Sequence, residues 1–274
     1  MATTSELVEA RELFRNLTLR ELRSKYKRST LGWTWSLVNP LATMVIYSVV
    51  FQFVLKVPPD RGVPSGLENF PLFLLCGLLP WNFLATGMLG GMSAPLENSG
   101  LIKKVYFPRE VLTASVVASW AVQFTIELVA LLAVMLAVGN IAFPFLPGVV
   151  VVLLIQMMFV YGLGLGLGAA NVYFRDVQHF VGIALQLWFY ATPIVYPLSF
   201  VPERAHIFGA EIPFRRLYEL NPMVRFIEAY RDLFYHLRYP PLVDIAYLLG
   251  ASVLVLVIGR TIFLRLEPRF AEEL

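Results

Sequence analysis

The sequence predicts an all-α integral membrane protein with six transmembrane helices, on the basis of composition and of how the apolar residues are distributed. Of the 274 residues, 58% are hydrophobic and only 15% are charged, whereas soluble domains are about 25% charged. The apolar residues form blocks of about 20 residues almost free of Asp, Glu, Lys and Arg, long enough to cross a hydrocarbon core of about 30 Å. These blocks leave little chain for a soluble domain.

The six predicted spans follow one another through mostly short connections, as expected for a bundle of membrane helices. Pro80 in the second span and Pro193 in the fifth are expected to kink their helices, which neighbouring helices can tolerate. The predicted spans cover approximately residues 33–55, 70–96, 111–138, 147–172, 180–200 and 244–264.

Positive charges predict the orientation of the chain. Lys and Arg are concentrated before the first span, between Arg11 and Arg28, and recur at residues 103–109, 175 and 260–269. Cytoplasmic loops are enriched in these residues. Both termini are therefore predicted to be cytoplasmic, in a multi-pass protein.

Residues 1–30 are predicted to form an amphipathic helix along the cytoplasmic face of the membrane. Apolar residues fall on one helical stripe, and acidic and basic residues lie off it. A short cytosolic helix that packs on a partner protein is the alternative. The stripe consists of Leu7, Ala10, Leu13, Phe14 and Leu17.

A second amphipathic stretch lies within residues 201–243, on the predicted outer side. Asn221-Pro222 is a typical helix start and Pro240-Pro241 a typical stop. The helix between them is too polar to cross the membrane, so we expect it at the outer interface or as a shallow re-entrant element. Its apolar face contains Met223, Phe226, Ile227, Tyr230, Leu233 and Phe234, and Arg225, Glu228, Arg231 and Asp232 occupy the other face.

Motifs for catalysis or for cofactor binding are lacking. The glycine run at 162–168 lies inside the fourth span, where small residues favour close helix packing rather than dinucleotide binding. No GxxxxGK[ST] phosphate-binding loop occurs, so the chain is not expected to hydrolyse ATP. The three histidines are scattered, so no metal site is predicted, and a net charge of +3 does not indicate nucleic acid.

One acidic residue, Glu127, is predicted to lie deep in a span, one turn after Gln123. Acids inside membrane helices often mark ion-coupled transport. A carboxylate without a basic partner is more often a packing or cavity residue. Secondary transport is therefore the weaker hypothesis, and the driving energy is expected to come from elsewhere.

The cytoplasmic loop at residues 97–109 is a candidate docking element. Asn98 or Ser99 can cap a short helix, which Pro108 would end. Apolar residues spaced i, i+1, i+4 and i+5 share one helical face, and lysines surround it. This pattern suits a groove on a soluble partner, and a plain positively charged turn is the alternative. The apolar residues are Leu101, Ile102, Val105 and Tyr106, and the lysines are Lys103 and Lys104.

Aromatic side chains in the spans are candidates for the wall of a sugar-conducting channel. Aromatic faces suit the apolar faces of sugar rings, and their polar groups suit hydroxyls. Membrane bundles are rich in aromatic residues, so helix packing is the alternative for each one. The candidates are Trp81, Phe83, Trp188, Phe189, Tyr190 and Tyr196.

Five motifs occur in a fixed order along nearly the whole chain. They run from Lys25-Tyr26 to Asn39-Pro40, over Gly77–Trp81, Asn98–Pro108 and Asn171–Val177, and over Thr192–Tyr196. Together they resemble the membrane subunits of ABC-2 type exporters for lipid-linked polysaccharides such as O-antigens, teichoic acids and cell-wall galactans.

The resemblance implies a role for several segments. Residues 97–109 would be the coupling helix that receives the power stroke of a separate ATPase, and residues 201–243 would be the outer gate, with Phe226, Ile227, Tyr230 and Phe234 on its apolar face. The N-terminal helix would be the cytoplasmic gate or interface helix. Arg175 and Asp176 would form an ion pair that braces the cytoplasmic end, although a positive-inside arginine also explains Arg175.

The resemblance also implies the partners. Two copies of the chain would enclose one channel in a bacterial cytoplasmic membrane, and residues 31–274 would form the transmembrane domain of each. Two cytosolic ATPase subunits would hold ATP and Mg²⁺, so no cofactor is expected on this chain. The substrate would be a lipid-linked polysaccharide. An ABC-2 exporter of a small molecule or drug is the alternative, and a membrane enzyme is disfavoured because no catalytic pair is evident.

Overall fold

The computed structural model describes residues 4–25, 32–54, 56, 61–105, 107–207 and 210–274, without the side chains of residues 4–10, 33 and 205–212. In these ranges the regular secondary structure is helical except for one small antiparallel hairpin. The hairpin pairs Ala205–Ile207 with Ala210–Ile212 in the outer segment, a detail that the all-α prediction did not contain.

Eleven α-helices are assigned within the described ranges, and π-helical turns extend two of them. The helices are α1 (Thr4–Lys25), α2 (Trp35–Ser48, continued by Val49–Val54), α3 (Phe70–Glu97), α4 (Ser99–Ile102), α5 (Glu110–Ala137), α6 (Leu146–Tyr173), α7 (Val177–Tyr190), α8 (Phe214–Glu219), α9 (Pro222–Arg231, continued by Asp232–His236), α10 (Leu242–Leu266) and α11 (Phe270–Glu273).

Five helical segments of the described chain are long and apolar enough to cross a membrane. They match the first four predicted spans and the sixth. The segments are Trp35–Val54, Phe70–Glu97, Glu110–Ala137, Phe143–Tyr173 and Leu242–Glu273.

The predicted fifth span, residues 180–200, has a different structure. Helix α7 has 14 residues, a length of about 21 Å, and ends at Tyr190. Pro193 lies in the turn that follows, where the chain leaves the helix. Pro193 therefore follows the end of the helix and does not kink it, because proline has no N–H with which to continue the hydrogen-bond ladder.

Helix α3 is the central helix of the bundle and is buried along most of its length. It continues through Pro80, whose carbonyl accepts a hydrogen bond of 2.8 Å from Nε2 of Gln156 in α6. Helices α5 and α6 pack on its sides, and α9 covers its outer half. The residues of α3 thereby connect the two ends of the bundle.

Glycines bring α6 into close contact with its neighbours, as the glycine run predicted. A Cβ on Gly259 of α10 would lie 2.0 Å from the carbonyl oxygen of Gly162, and one on Gly164 would lie 3.4 Å from Cα of Gly91 in α3. Backbones that approach this closely leave no room for side chains. The glycine run is thus a packing surface on both sides of α6.

We expect Gly259→Ala to destabilise the protein, because its methyl group has no space against α6. Overpacking a close contact costs about 1–3 kcal/mol, and the measurement is the thermal unfolding midpoint of the detergent-solubilised protein. Gly250→Ala is the matched control on the same helix, since a Cβ there meets nothing within 4 Å. Equal midpoints for the two variants would contradict the close contact.

Candidate coupling loop, outer gate and membrane cavity

The candidate coupling loop contains a shorter helix than predicted. Helix α4 ends at Ile102, Lys103 and Lys104 form a turn, and Val105 lies beyond the helix. The predicted common face is therefore not formed: Ile102 is 4% exposed, whereas Val105 is 53% exposed. Tyr106 lies outside the described residues, and Pro108 is exposed after the turn.

Asn98 attaches the start of this loop to two helices and does not cap α4 with its side chain. Its Oδ1 accepts a hydrogen bond of 2.5 Å from Nη2 of Arg20 in α1, and its Nδ2 donates to the carbonyl of Ala94 at 2.9 Å. The buried amide is thereby satisfied within the bundle. Ser99 is the first residue of α4.

An apolar cluster fixes the rest of the loop to the same end of the bundle. Ile102 and Phe107 pack with Leu17 of α1, Phe263 of α10 and Phe270 of α11. Arg109 adds a hydrogen bond of 2.5 Å to the carbonyl of Glu267. A displacement of the loop would therefore reach the N-terminal helix and the C-terminal helices together, because packed side chains resist separation.

The N-terminal helix is amphipathic where its side chains are described. Leu17 is buried, Leu13 and Phe14 are half-buried, and Arg11 and Arg15 are exposed. Its apolar face packs on α5 and on the coupling-loop cluster. The side chains of Leu7 and Ala10 lie outside the described part.

The proposed brace between Arg175 and Asp176 is not formed. Both side chains are exposed in the turn between α6 and α7, and no ion pair involves either of them among the described residues. The carbonyl of Asp176 instead accepts hydrogen bonds from the amides of His179 and Phe180 at the start of α7. An exposed arginine at this turn fits the positive-inside interpretation.

The candidate outer gate helix begins where the sequence predicted. The side chain of Asn221 accepts a hydrogen bond from the amide of Met223 at 3.0 Å, and Pro222 occupies the first turn. Asn221 also accepts a hydrogen bond from Nε1 of Trp188 at 2.9 Å and donates to Oγ1 of Thr192 at 3.1 Å. One amide therefore joins α9 to the end of α7.

The apolar face of the gate helix is buried within the bundle. The ring of Phe226 lies 5.7 Å from that of Phe159 in α6, and the ring of Tyr230 lies 5.6 Å from that of Phe124 in α5. The predicted gate residues Phe226, Ile227, Tyr230 and Phe234 are all at most 1% exposed.

Arg231 departs from the predicted polar face, because its side chain is fully buried. It donates to the carbonyl of Ile194 at 2.8 Å and to Glu228 at 2.7 Å, and its guanidinium lies 3.7 Å above the ring of Phe73. A Cβ on Gly77 would meet Arg231 at 3.2 Å, so this glycine makes the space. Asp232 is also buried and pairs with Arg238 at 2.7 Å.

The sequence pattern underestimated the burial of both Arg231 and Asp232, which it placed on the polar face. Arg231 follows Ile227 by four residues, which places it on the buried stripe. A charge on an apolar stripe was thus the available signal. Burial raises the pKa of Asp232 to about 6, against the opposing effect of Arg238.

The candidate channel aromatics divide into packed and exposed residues. Trp81 and Phe83 are buried; Trp81 contacts Trp188 and Phe189 edge-on, at 5.8 and 5.5 Å between ring centroids. Phe83 stacks on Phe124 at 4.9 Å. Tyr190 is 62% exposed, and the hydroxyl of Tyr196 donates to its carbonyl at 3.0 Å.

A polar cavity of about 470 Å³ lies between α2, α3, α5 and the end of α1. Glu127 lines it and is 6% exposed, and Gln123 donates to its carboxylate at 3.1 Å. Lys25 reaches the same cavity and interacts electrostatically with Glu127. Glu127 therefore has a basic neighbour that the sequence pattern did not identify. Among the described residues, no group of His, Cys, Asp and Glu could hold a metal ion.

The fold and these elements define a membrane subunit of a transporter, and comparison with known proteins agrees. Residues 12–235 match the family of ABC-2 type transporters, and the chain belongs to this family. It is 36% identical over 275 residues, covering 98% of both chains, to the O-antigen export system permease protein RfbA of Myxococcus xanthus.

More distant relatives extend the same comparison. The chain is 30% identical to the O-antigen export system permease protein RfbA of Klebsiella pneumoniae, over 93% of this chain and 92% of the relative. It is 22% identical to the polysialic acid transport protein KpsM of Escherichia coli, over 90% of both chains.

We expect Arg231→Lys to lower the stability with which α9 packs in the bundle, because an ammonium cannot reproduce both hydrogen bonds of the buried guanidinium. The loss of one charged hydrogen bond costs about 1.5–3 kcal/mol, and thermal unfolding of the purified protein measures it. Arg238→Lys is the control, since Arg238 is 53% exposed in its ion pair. If both variants unfold at the same temperature, the buried hydrogen bonds of Arg231 do not stabilise the protein.

Proposed function

We propose that this chain moves a lipid-linked polysaccharide across a bacterial cytoplasmic membrane, as the permease of an ABC-2 exporter driven by a separate ATPase. The observation that carries this proposal is the 36% identity, over 98% of both chains, to a permease named for O-antigen export. A relative named for polysialic acid transport supports the broader class of substrate. The alternative cargo, a small molecule or drug, has no counterpart in the names of these relatives.

Two copies of the chain would form one transporter. Helix α2 touches α7 near its end, where Tyr47 is stacked on Phe189 at 6.1 Å between ring centroids. Both helices expose large apolar side chains, including Ile46, Phe53 and Leu187, at 62%, 69% and 69%. This adjoining surface is suited to meet a second copy and to enclose a path between the two, with exposed Tyr190 at its edge.

The energy would come from two cytosolic ATPase subunits that bind ATP and Mg²⁺ and contact the loop at residues 97–109. Lys103, Lys104 and Val105 are exposed in this loop, so they are available to a partner. Asn98, Ile102 and Phe107 are held in the bundle, so they would pass on the motion. In this orientation both termini are cytoplasmic and α9 lies towards the outside.

We expect Val105→Asp and Leu101→Asp to abolish stimulated ATP hydrolysis and export, because a charge would oppose docking of the loop in an apolar groove. The measurement is co-purification of the complex with its ATPase, followed by an ATPase assay. Val63→Asp is the control, because Val63 is exposed to 59% far from this loop. Normal export by both loop variants would refute the coupling assignment.

We expect deletion of the gene to remove a surface polysaccharide and to leave lipid-linked chains inside the cell. Gel electrophoresis of surface polysaccharide from the deletion strain, with and without the restored gene, measures this outcome. Unchanged surface polysaccharide, together with reduced efflux of a small compound, would establish the alternative cargo.

A further inference from the structure

An apolar groove of about 300 Å³ follows the seam between α5 and α6. Ala114 of α5 and Met157, Met158 and Tyr161 of α6 line this groove. It extends about 10 Å along α6, from Tyr161 to Leu154. Leu154 is 58% exposed, so the groove is open on the surface of the bundle, where a membrane protein meets lipid.

One end of the groove is polar and lies near the cytoplasmic surface in the orientation proposed above. Tyr161 interacts electrostatically with Glu110 and Arg260, which form an ion pair at 3.2 Å. Ala114 lies about 6 Å along α5 from Glu110, the first residue of that helix. The groove therefore leads from the level of the lipid headgroups towards the interior of the membrane.

The N-terminal helix adds two arginines beside the groove. Phe14 of α1 lines the groove, and helical spacing places Arg11 and Arg15 about 60° and 100° around α1 from Phe14. Both arginines are exposed, and neither has an ion-pair partner in the described part of the chain. Glu12 lies about 160° from Phe14, on the other side of α1. The side of α1 next to the groove is therefore cationic.

An apolar groove next to exposed arginines suits a phospholipid with an anionic headgroup. Methionine side chains are flexible and adapt to an acyl chain, and guanidinium groups form paired hydrogen bonds with phosphate. A soluble phosphate would leave the groove empty. A zwitterionic lipid would bring its own ammonium group towards Arg11 and Arg15, which repel it. A second copy of the chain is disfavoured, because neither α5 nor α6 belongs to the surface proposed above to meet one.

We propose that the groove between α5 and α6 binds an anionic glycerophospholipid of the cytoplasmic leaflet. One acyl chain lies against Met157 and Met158, and the headgroup lies on Arg11 and Arg15. The anionic lipids of this leaflet attract basic segments next to membrane helices, and α1 is such a segment.

The bound lipid connects the membrane surface to the loop at residues 97–109. Arg20 of α1 donates a hydrogen bond to Asn98 at the start of this loop. A lipid that holds α1 against the bundle therefore also holds the helix to which the loop is attached. The inference depends on the proposed orientation and not on the cargo, so its test is separate from that of the gene deletion.

Native mass spectrometry of the complete transporter, purified in detergent, tests the proposal. Phosphatidylglycerol is titrated as the probe, and phosphatidylcholine with the same acyl chains is the reference. Arg15→Gln removes one contact with the headgroup. Arg23→Gln is the matched control, since Arg23 is exposed on the same helix, about 180° around α1 from Phe14.

We expect the unsubstituted transporter to bind phosphatidylglycerol about twentyfold more tightly than phosphatidylcholine, with each arginine contributing about fivefold. Arg15→Gln should therefore reduce the preference by about fivefold, and Arg11→Gln combined with Arg15→Gln should abolish it. Arg23→Gln should leave it unchanged. Equal affinities of the unsubstituted transporter for the two lipids, or a preference that survives the double substitution, would overturn the proposal.

Ala114→Phe tests the groove itself, because the added ring occupies the space of the acyl chain. We expect it to weaken the binding of phosphatidylglycerol by about threefold or more. Ala133→Phe is the control, since Ala133 is exposed on the same helix and does not line the groove. Unchanged binding by Ala114→Phe would place the acyl chain elsewhere and overturn the site. If Ala114→Phe does not assemble, the exposed arginine variants decide the outcome.

Two further outcomes would identify a different occupant. A polyprenyl phosphate is the third probe. If it binds more tightly than phosphatidylglycerol, with the same dependence on Arg15, the site belongs to a polyprenyl lipid and the phospholipid assignment is overturned. If the arginine variants instead lose one copy of the chain from the complex, the groove is an interface between copies, which also overturns the proposal.

Discussion

The close contact of α6 with α10 and α3 is the constraint on which the rest of the structure depends. In a membrane, water does not drive helices together, so association relies on van der Waals contact and on small residues that allow it. Gly162 meets Gly259 on one side of α6, and Gly164 meets Gly91 on the other. These two contacts fix the positions of α10 and α3 relative to α6. The elements at both ends, the loop at residues 97–109 and helix α9, attach to helices that cannot easily slide apart.

Helix α3 contacts the elements at both ends of the bundle, the loop at residues 97–109 and helix α9. Its last residue precedes Asn98, which α1 and α3 hold through hydrogen bonds, and its outer half supplies Phe73 and Gly77 to the pocket of Arg231. A close-packed helix transmits displacement because its side chains have few alternative positions. Motion of the loop at residues 97–109 therefore has a continuous physical route to α9, through a helix that also lines the polar cavity.

The sequence predicted those features that depend on composition or on a single helix. Five of the six spans follow from apolar length, α9 from its Asn-Pro start, and the glycine contacts from spacing inside a span. Features set by tertiary contact were missed. Helix α4 is short because Ile102 turns inward to pack with Phe107 and Phe270, and α7 ends early at the turn around Pro193. Periodicity cannot reveal that Lys25 reaches Glu127, since the two residues belong to helices far apart in sequence.

Arg231 and Lys25, whose charged groups are both buried, differ in how well those charges are compensated. Arg231 has two hydrogen-bond acceptors and an aromatic face, so its charge is compensated wherever α9 is packed in the bundle. Lys25 has an aromatic face, but its Nζ finds no acceptor among the described residues, and it borders the polar cavity that Glu127 also lines. Leaving a buried polar group unpaired costs free energy of folding, so the amine of Lys25 is less well compensated than the guanidinium of Arg231. On α3, Gly77 makes the space for Arg231 and Asn82 lines the cavity that Lys25 borders, so one helix carries a compensated and a poorly compensated cation at two different levels.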